Sequence, residues 1–424
     1  VRHLHLRIAR LGRSEISRLA GAGLTVQMLT LVSGPLVARM LGASGRGEVT
    51  VAMLYSILSS RLVLAGWCVT ITRELAQQAW AARTALGPLV GRSGIASAIP
   101  ALLAGLLTAA TLHSSPHMLQ VASATAVITL LASVTLVMTA MLQGEGQVRH
   151  VNRLRLISVL LYVLGIALIF LVDRQSHAIV VLAVYAGAQT IGLGVAWQAL
   201  RPREAEGARL AGRALLRSAR RAHLGAIGFL DGMGLDHVVV AVMMSTTSLG
   251  LYTVASSSTN LPVMVLQGVS GMLLPRMAAR DAEESRRLLF RWTAASTALV
   301  ACVVIGLEII IGPAIRILFG TEFVPATPVA RLLIVAWALL ALRRLFISAA
   351  QAQHRAGRSS VVEAASAIAL VVGVPVGIAT HGIVGAAAAV LAVSALSCAA
   401  LAATVSWRVP RQATPRRADQ RTSS

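Results

Sequence analysis

The 424-residue sequence contains no lysine, only three cysteines, and just 4% aromatic and 13% charged residues. Each scarcity excludes something. Cys68, Cys302 and Cys398 lie too far apart for a disulfide framework or a metal-ligand spacing, so small apolar packing is their expected role. So few charges at this length rule out an ordinary soluble domain. The regular ten-residue alternation of apolar and polar positions that a closed outer-membrane barrel needs is also missing.

What is present is 56% hydrophobic residues and a mean hydropathy of +0.75. The apolar residues fall in twelve runs: 19–38, 48–68, 89–111, 118–142, 155–172, 178–199, 222–244, 250–274, 290–311, 328–350, 360–380 and 382–406. Lipid offers a backbone no hydrogen-bond partners, so each run is expected to satisfy its own N–H and C=O groups as a helix of roughly 20 residues. The expected fold class is an all-α integral membrane protein of about twelve transmembrane helices. An arginine-rich start runs straight into a full-length span with no small-residue cleavage pattern, so the first helix is expected to stay as an anchor.

The net charge of +22 comes from arginine, and its placement is uneven. Arg2, Arg7, Arg10, Arg13 and Arg18 precede the first span, and Arg149, Arg153 and Arg155 follow the fourth. Segment 201–221 carries seven arginines, and Arg276, Arg280, Arg286, Arg287 and Arg291 follow the eighth span. The connections at 112–117, 245–249 and 381 carry none; Arg174, Arg39, Arg46 and Arg316 are the exceptions on that side. By the positive-inside rule both termini are cytoplasmic, with an even number of spans. Basic loops against anionic headgroups account for the charge, and no folded nucleic-acid module is visible, so nucleic acid is not an expected partner. Arg209, Arg213 and Arg217 share one helical face, which fits either an interfacial helix or a charged linker.

A weak internal repeat divides the chain. Residues 47–52 read GEVTVA and residues 250–255 read GLYTVA, four identities in six at an offset of 203, each opening the second span of a six-span half. Six spans per repeat give both halves one orientation, related by an axis along the membrane normal. The expected organisation is a lobe at 1–200, a basic cytoplasmic linker at 201–221, a second lobe at 222–407, and a disordered basic tail at 408–424. Gly225, Gly228, Gly232 and Gly234 around two aspartates suggest either close packing or an interrupted seventh helix.

Charges within the spans are the candidate site. A central arginine costs about 2.5–3.5 kcal/mol on insertion scales, so it is normally aimed at protein or water. Arg61, about 13 residues into the second span, is the clearest case. Arg92, Arg343 and Arg344 lie nearer the cytoplasmic ends, where long side chains snorkel; the last two diverge by about 100° on a helix, so at most one faces a cavity, and Arg344 is the candidate. Asp231, Asp236 and His237 fall in the seventh span. About 140° separates the aspartates around a helix, which argues against one carboxylate dyad. For Asp236, structural pairing and ion coupling are both open. The glycine-rich GASGRG (42–47) lacks the Lys-Ser/Thr of a phosphate-binding loop and reads as an outer turn. Histidines at 113, 117, 177 and 381 form no recognisable metal or acid/base cluster. No cofactor or metal is expected.

Taken in order, LVARMLGASGRGEVTVA (36–52), LDHVVVAVMMSTTSLGLYTVA (235–255), LLP (273–275), LFGTEFVPATPVARLL (318–333) and AQHRAGRSS followed by HGIVGAAAA resemble polysaccharide-export flippases. These belong to the multidrug, oligosaccharidyl-lipid and polysaccharide exporter superfamily. The resemblance implies two six-helix lobes around a central cavity, moving a polyprenyl-diphosphate-linked oligosaccharide across a bacterial cytoplasmic membrane by alternating access. Implied partners are that substrate, membrane lipids, and a polysaccharide polymerase or glycosyltransferases. The SSRLVLAG stretch around Arg61 resembles the second helix of lipid II flippases, where arginines line the cavity. Asp236 matches the family's aspartate ahead of the GLY element, and His237 stands where relatives often carry a basic residue. Three alternatives are weighed. An ion-coupled multidrug exporter usually needs buried carboxylates and aromatic walls, yet the first six spans have no central acid. A lipid II flippase usually has two extra helices. A membrane polymerase or ligase of lipid-linked sugars needs a large catalytic external loop. The coupling ion, H+ or Na+, and the oligomeric state are left open.

Overall fold

The computed structural model describes residues 2–76, 82–173, 176–199, 234–266, 282–353 and 356–405, with isolated positions 219, 273 and 277; the side chains of 2–24, 82–96, 148, 282 and 356 lie outside that description. The described elements are α1 Arg2–Ala76, α2 Ala82–Thr111, α3 Met118–Gly144, α4 Val148–Val172 and α5 Ala178–Ala199. After them come α6 Leu235–Met243, α7 Thr246–Ser258, α8 Ala282–Leu318, a 3-10 helix Thr321–Ala326, α9 Thr327–Ala352 and α10 Ala356–Thr404. No strand occurs among the described residues.

Two of these helices are each two spans. Gly42 interrupts α1 at φ 65°, ψ −173°, and His381 with Gly382 interrupts α10, the glycine at φ 59°. A left-handed φ costs a residue with a Cβ but not glycine, so one glycine redirects the chain where a loop was expected. The turn expected in GASGRG is confined to one residue: only Gly42 leaves helical geometry, and Ala43 already starts the next helix. Counted at these breaks, the described helices occupy twelve positions. The seventh and eighth are represented by α6 and α7 with flanking residues outside the description. The protein is thus an all-α, multi-pass membrane protein.

Contacts show how the spans alternate. Glu48 accepts from the Ser115 hydroxyl at 2.8 Å, His117 and His177 rings lie 5.5 Å apart, and Ser44 Oγ meets Thr246 Oγ1 at 3.2 Å. The Ala43 amide donates to Glu322 at 2.8 Å, and a Cβ on Gly382 would sit 3.9 Å from Met244. The break at Gly42, residues 112–117, 173, 176–177, 244–245 and 319–326, and the break at 381–382 therefore gather at one end of the bundle.

Helices α1 to α5 pack mainly on one another, as do α6 to α10. Within the first group, hydroxyls tie α1 to α3: Thr129 donates to Ser56 Oγ at 3.0 Å, Ser60 and Ser133 meet at 3.2 Å, and Thr72 donates to the Ala140 carbonyl at 3.1 Å. In lipid, where apolar surface gains little from meeting another helix, such bonds and close backbone contact hold helices together. The two groups meet chiefly where α1 packs on α7, with smaller contacts to α6 and the 3-10 helix.

That meeting is reciprocal. A Cβ on Gly47 would fall 1.9 Å from the Thr246 carbonyl oxygen, and a Cβ on Gly250 would fall 1.9 Å from the Ala43 carbonyl oxygen. The positions 43 and 246, like 47 and 250, are separated by the offset of the GEVTVA and GLYTVA repeat. Residue i of one half touches residue j of the other and j touches i, the signature of a two-fold relationship. Backbone contact this close admits only glycine at both places. Most of the sequence-derived linker 201–221, the expected tail 408–424 and the glycine cluster at 225–232 lie outside the described residues.

Candidate functional site

Three features could bear on transport: the sealed end, a polar cluster on α6 and α7, and the charges within the spans. At the sealed end, the helix beginning at Ala43 would leave its first amides without partners. Glu322, from the 3-10 helix of the other half, accepts the Ala43 N–H through Oε1. Phe323 and Ala326, buried beside it, anchor that 3-10 helix in the core, and Pro325 helps fix its turn. Arg39 donates through Nε to the Leu318 carbonyl at 2.8 Å and through a terminal nitrogen to the Ile317 carbonyl. It thus caps the C-terminus of α8, where a cation is favoured by the helix dipole. This use explains why an arginine stands in a connection otherwise poor in them.

Asp236 is the second residue of α6, whose N-terminus starts at Gly234 in the left-handed region. It is 6% exposed. Tyr252, from α7, donates its hydroxyl to Asp236 Oδ2 at 2.9 Å; His237 Nδ1 lies 3.2 Å from the same oxygen, and the His237 and Tyr252 rings meet edge-on at 5.0 Å. The carboxylate is therefore compensated by its neighbours and by the amino end of its own helix. Asp236 also borders a small cavity, with room for little more than a water molecule, lined by Trp337, Leu370, Val390, Ser394 and Ser397. The Trp337 Nε1 and Ser397 Oγ are buried without a hydrogen-bond partner among the described residues, so this cavity has polar groups available to a small occupant such as water.

The remaining candidates are scattered. Arg61 is exposed, on a stripe with Ile57 at 44% and Val69 at 48% exposure. Arg92 lies on α2 with its side chain outside the description, and Asp231 lies outside the described residues. Arg343, expected to snorkel to an interface, is instead 0% exposed and paired with Glu363 of α10, because its position on α9 faces the neighbouring helix and a carboxylate stands there to receive it. Arg344 is half-buried. The structure brings Asp236 and His237 together with Tyr252. Sequence reasoning missed Tyr252, Glu322 and Glu363. The signal for Tyr252 was its rarity, one of four tyrosines, inside the repeated hexapeptide.

The chain matches the polysaccharide biosynthesis protein family over residues 36–328, which includes Arg61, Asp236, Tyr252 and Glu322. It belongs to that family. No curated protein matches the sequence. Among solved structures, the chain is similar to the lipid II flippase MurJ in an inward closed conformation, with a TM-score of 0.68 at 13% identity, covering 90% of this chain and 86% of that one. It is also similar to a multidrug resistance MATE family transporter of the MOP superfamily in an inward-facing conformation, at 0.66 and 12% identity, covering 90% and 96%. An outward-facing MATE transporter gives 0.56 at 15% identity, covering 92% and 94%. These likenesses show the fold, which is that of the MurJ and MATE structures.

Proposed function

We propose that this protein is a flippase moving polyprenyl-diphosphate-linked oligosaccharide across a bacterial cytoplasmic membrane by alternating access, for cell-surface polysaccharide. Membership of the polysaccharide biosynthesis family supports the glycan, and the observation that carries the anionic headgroup is Arg61. An exposed arginine deep in a span is tolerated where it faces water or an anion rather than lipid tails, and a diphosphate supplies two charges to a planar fork of donors. In this reading the lobes at 1–200 and 222–407 face each other across a central cavity, and Arg61 and Arg344 contribute to its cationic lining. Both termini and the 201–221 segment are cytoplasmic, and the sealed end faces outward.

Asp236 is structural in this reading. Its contacts with Tyr252 and His237 hold α6 to α7, and directionality comes from membrane potential or from downstream consumption of the glycan. A polymerase or glycosyltransferase is the partner that would consume it. The test is reconstitution into liposomes with defined polyprenyl-diphosphate sugars, alongside uptake of a cationic dye. Movement of the sugars without dye uptake is the expected result; dye uptake with no sugar movement would overturn the assignment in favour of a drug exporter.

A further inference from the structure

Two histidines that lie far apart in the sequence meet at the sealed end. His117 is the N-cap of α3, and His177 immediately precedes α5. Their ring centroids are 5.5 Å apart and the ring planes are inclined at 56°. His177 is exposed and His117 half-buried, so the pair is open to solvent. The hydrogen bonds of both residues run through the backbone: the His117 amide donates to Ser115 Oγ, and the two carbonyls accept from the Val121 and Val180 amides. The ring nitrogens have no partner among the described residues. His113 differs, because its Nδ1 is engaged with the Ala110 carbonyl at 3.2 Å.

The spacing suits a shared metal ion. A neutral imidazole keeps one nitrogen lone pair and is a common ligand for zinc, nickel and copper. An ion about 2.0–2.1 Å from one nitrogen of each ring stands about 3.2 Å from each ring centre, and a tetrahedral angle then sets the centres about 5.2 Å apart. The observed 5.5 Å is close to that separation. The outer torsion of histidine is soft, so each ring can turn a nitrogen towards the common point without moving the backbone.

The amino ends of α3 and α5 disfavour a cation, and Glu48 offsets them. Its carboxylate accepts from Ser115 Oγ at 2.8 Å, and the same oxygen accepts the His117 amide at 3.3 Å, so a negative charge is tethered to one member of the pair. The connection at 112–117 contains no arginine. Among the described residues no third histidine, cysteine or acid completes a ligand set. Two imidazoles completed by water make an open, exchangeable site rather than a closed structural one.

We propose that His117 and His177 form a two-imidazole site for a first-row divalent transition-metal cation, clipping the α2–α3 connection to the residues that enter α5. The site does not depend on the flippase reading. Binding only the folded arrangement, the ion stabilises the end of the bundle where these connections meet.

Untagged full-length protein in detergent is titrated with zinc chloride, and separately with magnesium chloride, while Tm is followed. All proteins carry His3→Asn and His5→Asn, so that this second pair of nearby histidines cannot compete. Zinc is expected to raise Tm saturably and EDTA to reverse the rise, whereas magnesium, which takes oxygen ligands, leaves Tm unchanged. His117→Phe and His177→Phe each keep an aromatic ring in the contact and remove its nitrogens. Each is expected to weaken zinc binding at least about tenfold, since losing even an outer partner of a ligand costs that much. His177→Gln, at the exposed position, repeats the test without adding apolar surface, and His113→Phe should leave zinc binding unchanged. No zinc-dependent rise in the parent, or unchanged zinc affinity in the His117 and His177 variants, would overturn the site. A lower metal-free Tm in the Phe variants with zinc affinity retained would make the pair an aromatic contact only and overturn it too. An equal loss in His113→Phe would contradict the assignment to this pair.

Discussion

The Glu322 carboxylate accepts a 2.8 Å hydrogen bond from the Ala43 amide, 279 residues earlier in the chain. A residue of one half thereby caps a helix of the other, at the point where Gly42 breaks α1. Opening that end requires the cap to be released. The sealed end is consequently held by bonds that a conformational cycle can break and remake, beside a glycine contact that sets how closely the halves approach.

Glu322→Ala should lower stability by about 1 kcal/mol, the usual cost of losing a helix N-cap. Glu322→Gln keeps an acceptor oxygen at the same reach and should recover most of that loss. Thermal unfolding of the two variants in detergent checks it, and an Ala variant as stable as the parent would show that the contact is incidental.

Ser44 Oγ and Thr246 Oγ1 lie 3.2 Å apart across the same seam. In a background lacking Cys68, Cys302 and Cys398, the pair Ser44→Cys and Thr246→Cys should oxidise to a disulfide and lock the end shut. Transport should then stop under oxidant and return with reductant. Full transport by the cross-linked protein would mean that this end need not open.

Tyr252→Phe should cost about 1–2 kcal/mol, because a hydrogen bond to a buried carboxylate is lost. Asp236→Asn should cost a similar amount rather than the 3–5 kcal/mol typical of a broken buried ion pair, since its partner His237 can shed a proton where an arginine could not. A double-mutant cycle should show coupling between the two positions. An Asn variant of unchanged stability whose transport has lost its ion dependence would make Asp236 a coupling residue instead.

The twelve spans were legible because hydropathy and length are nearly the whole specification of a membrane helix. The repeat was legible too, although its reason was not: GEVTVA and GLYTVA share a glycine because Gly47 and Gly250 each face a carbonyl of the other half. What escaped were contacts that sequence distance conceals. Nothing near Gly42 indicates that Glu322 will cap the helix after it, so the turn at 42–47 was legible but its partner was not. Arg39 stood out as an exception to the charge pattern until the free carbonyls of α8 gave it a partner. Arg343 looked like an interfacial anchor because Glu363, 20 residues on, belongs to another helix. Tyr252 sits 16 residues past Asp236, across a helix junction, which no periodicity connects.

The arginine pattern predicts the orientation. In the cysteine-free background, Ser248→Cys should react with an impermeant maleimide added outside sealed cells, and Ala205→Cys should react only after the membrane is opened. Labelling of position 205 from outside would invert the assignment and place the sealed end in the cytoplasm.

The most direct measurement is the rate at which the reconstituted protein moves a fluorescent polyprenyl-diphosphate oligosaccharide between leaflets, compared across the parent, Arg61→Ala and Arg61→Lys. An anion held by a guanidinium predicts loss of flipping in the Ala variant at unchanged membrane insertion. Partial recovery is expected in the Lys variant, which restores charge without bidentate geometry. A stable Arg61→Ala protein that flips the lipid at the parent rate would contradict the account.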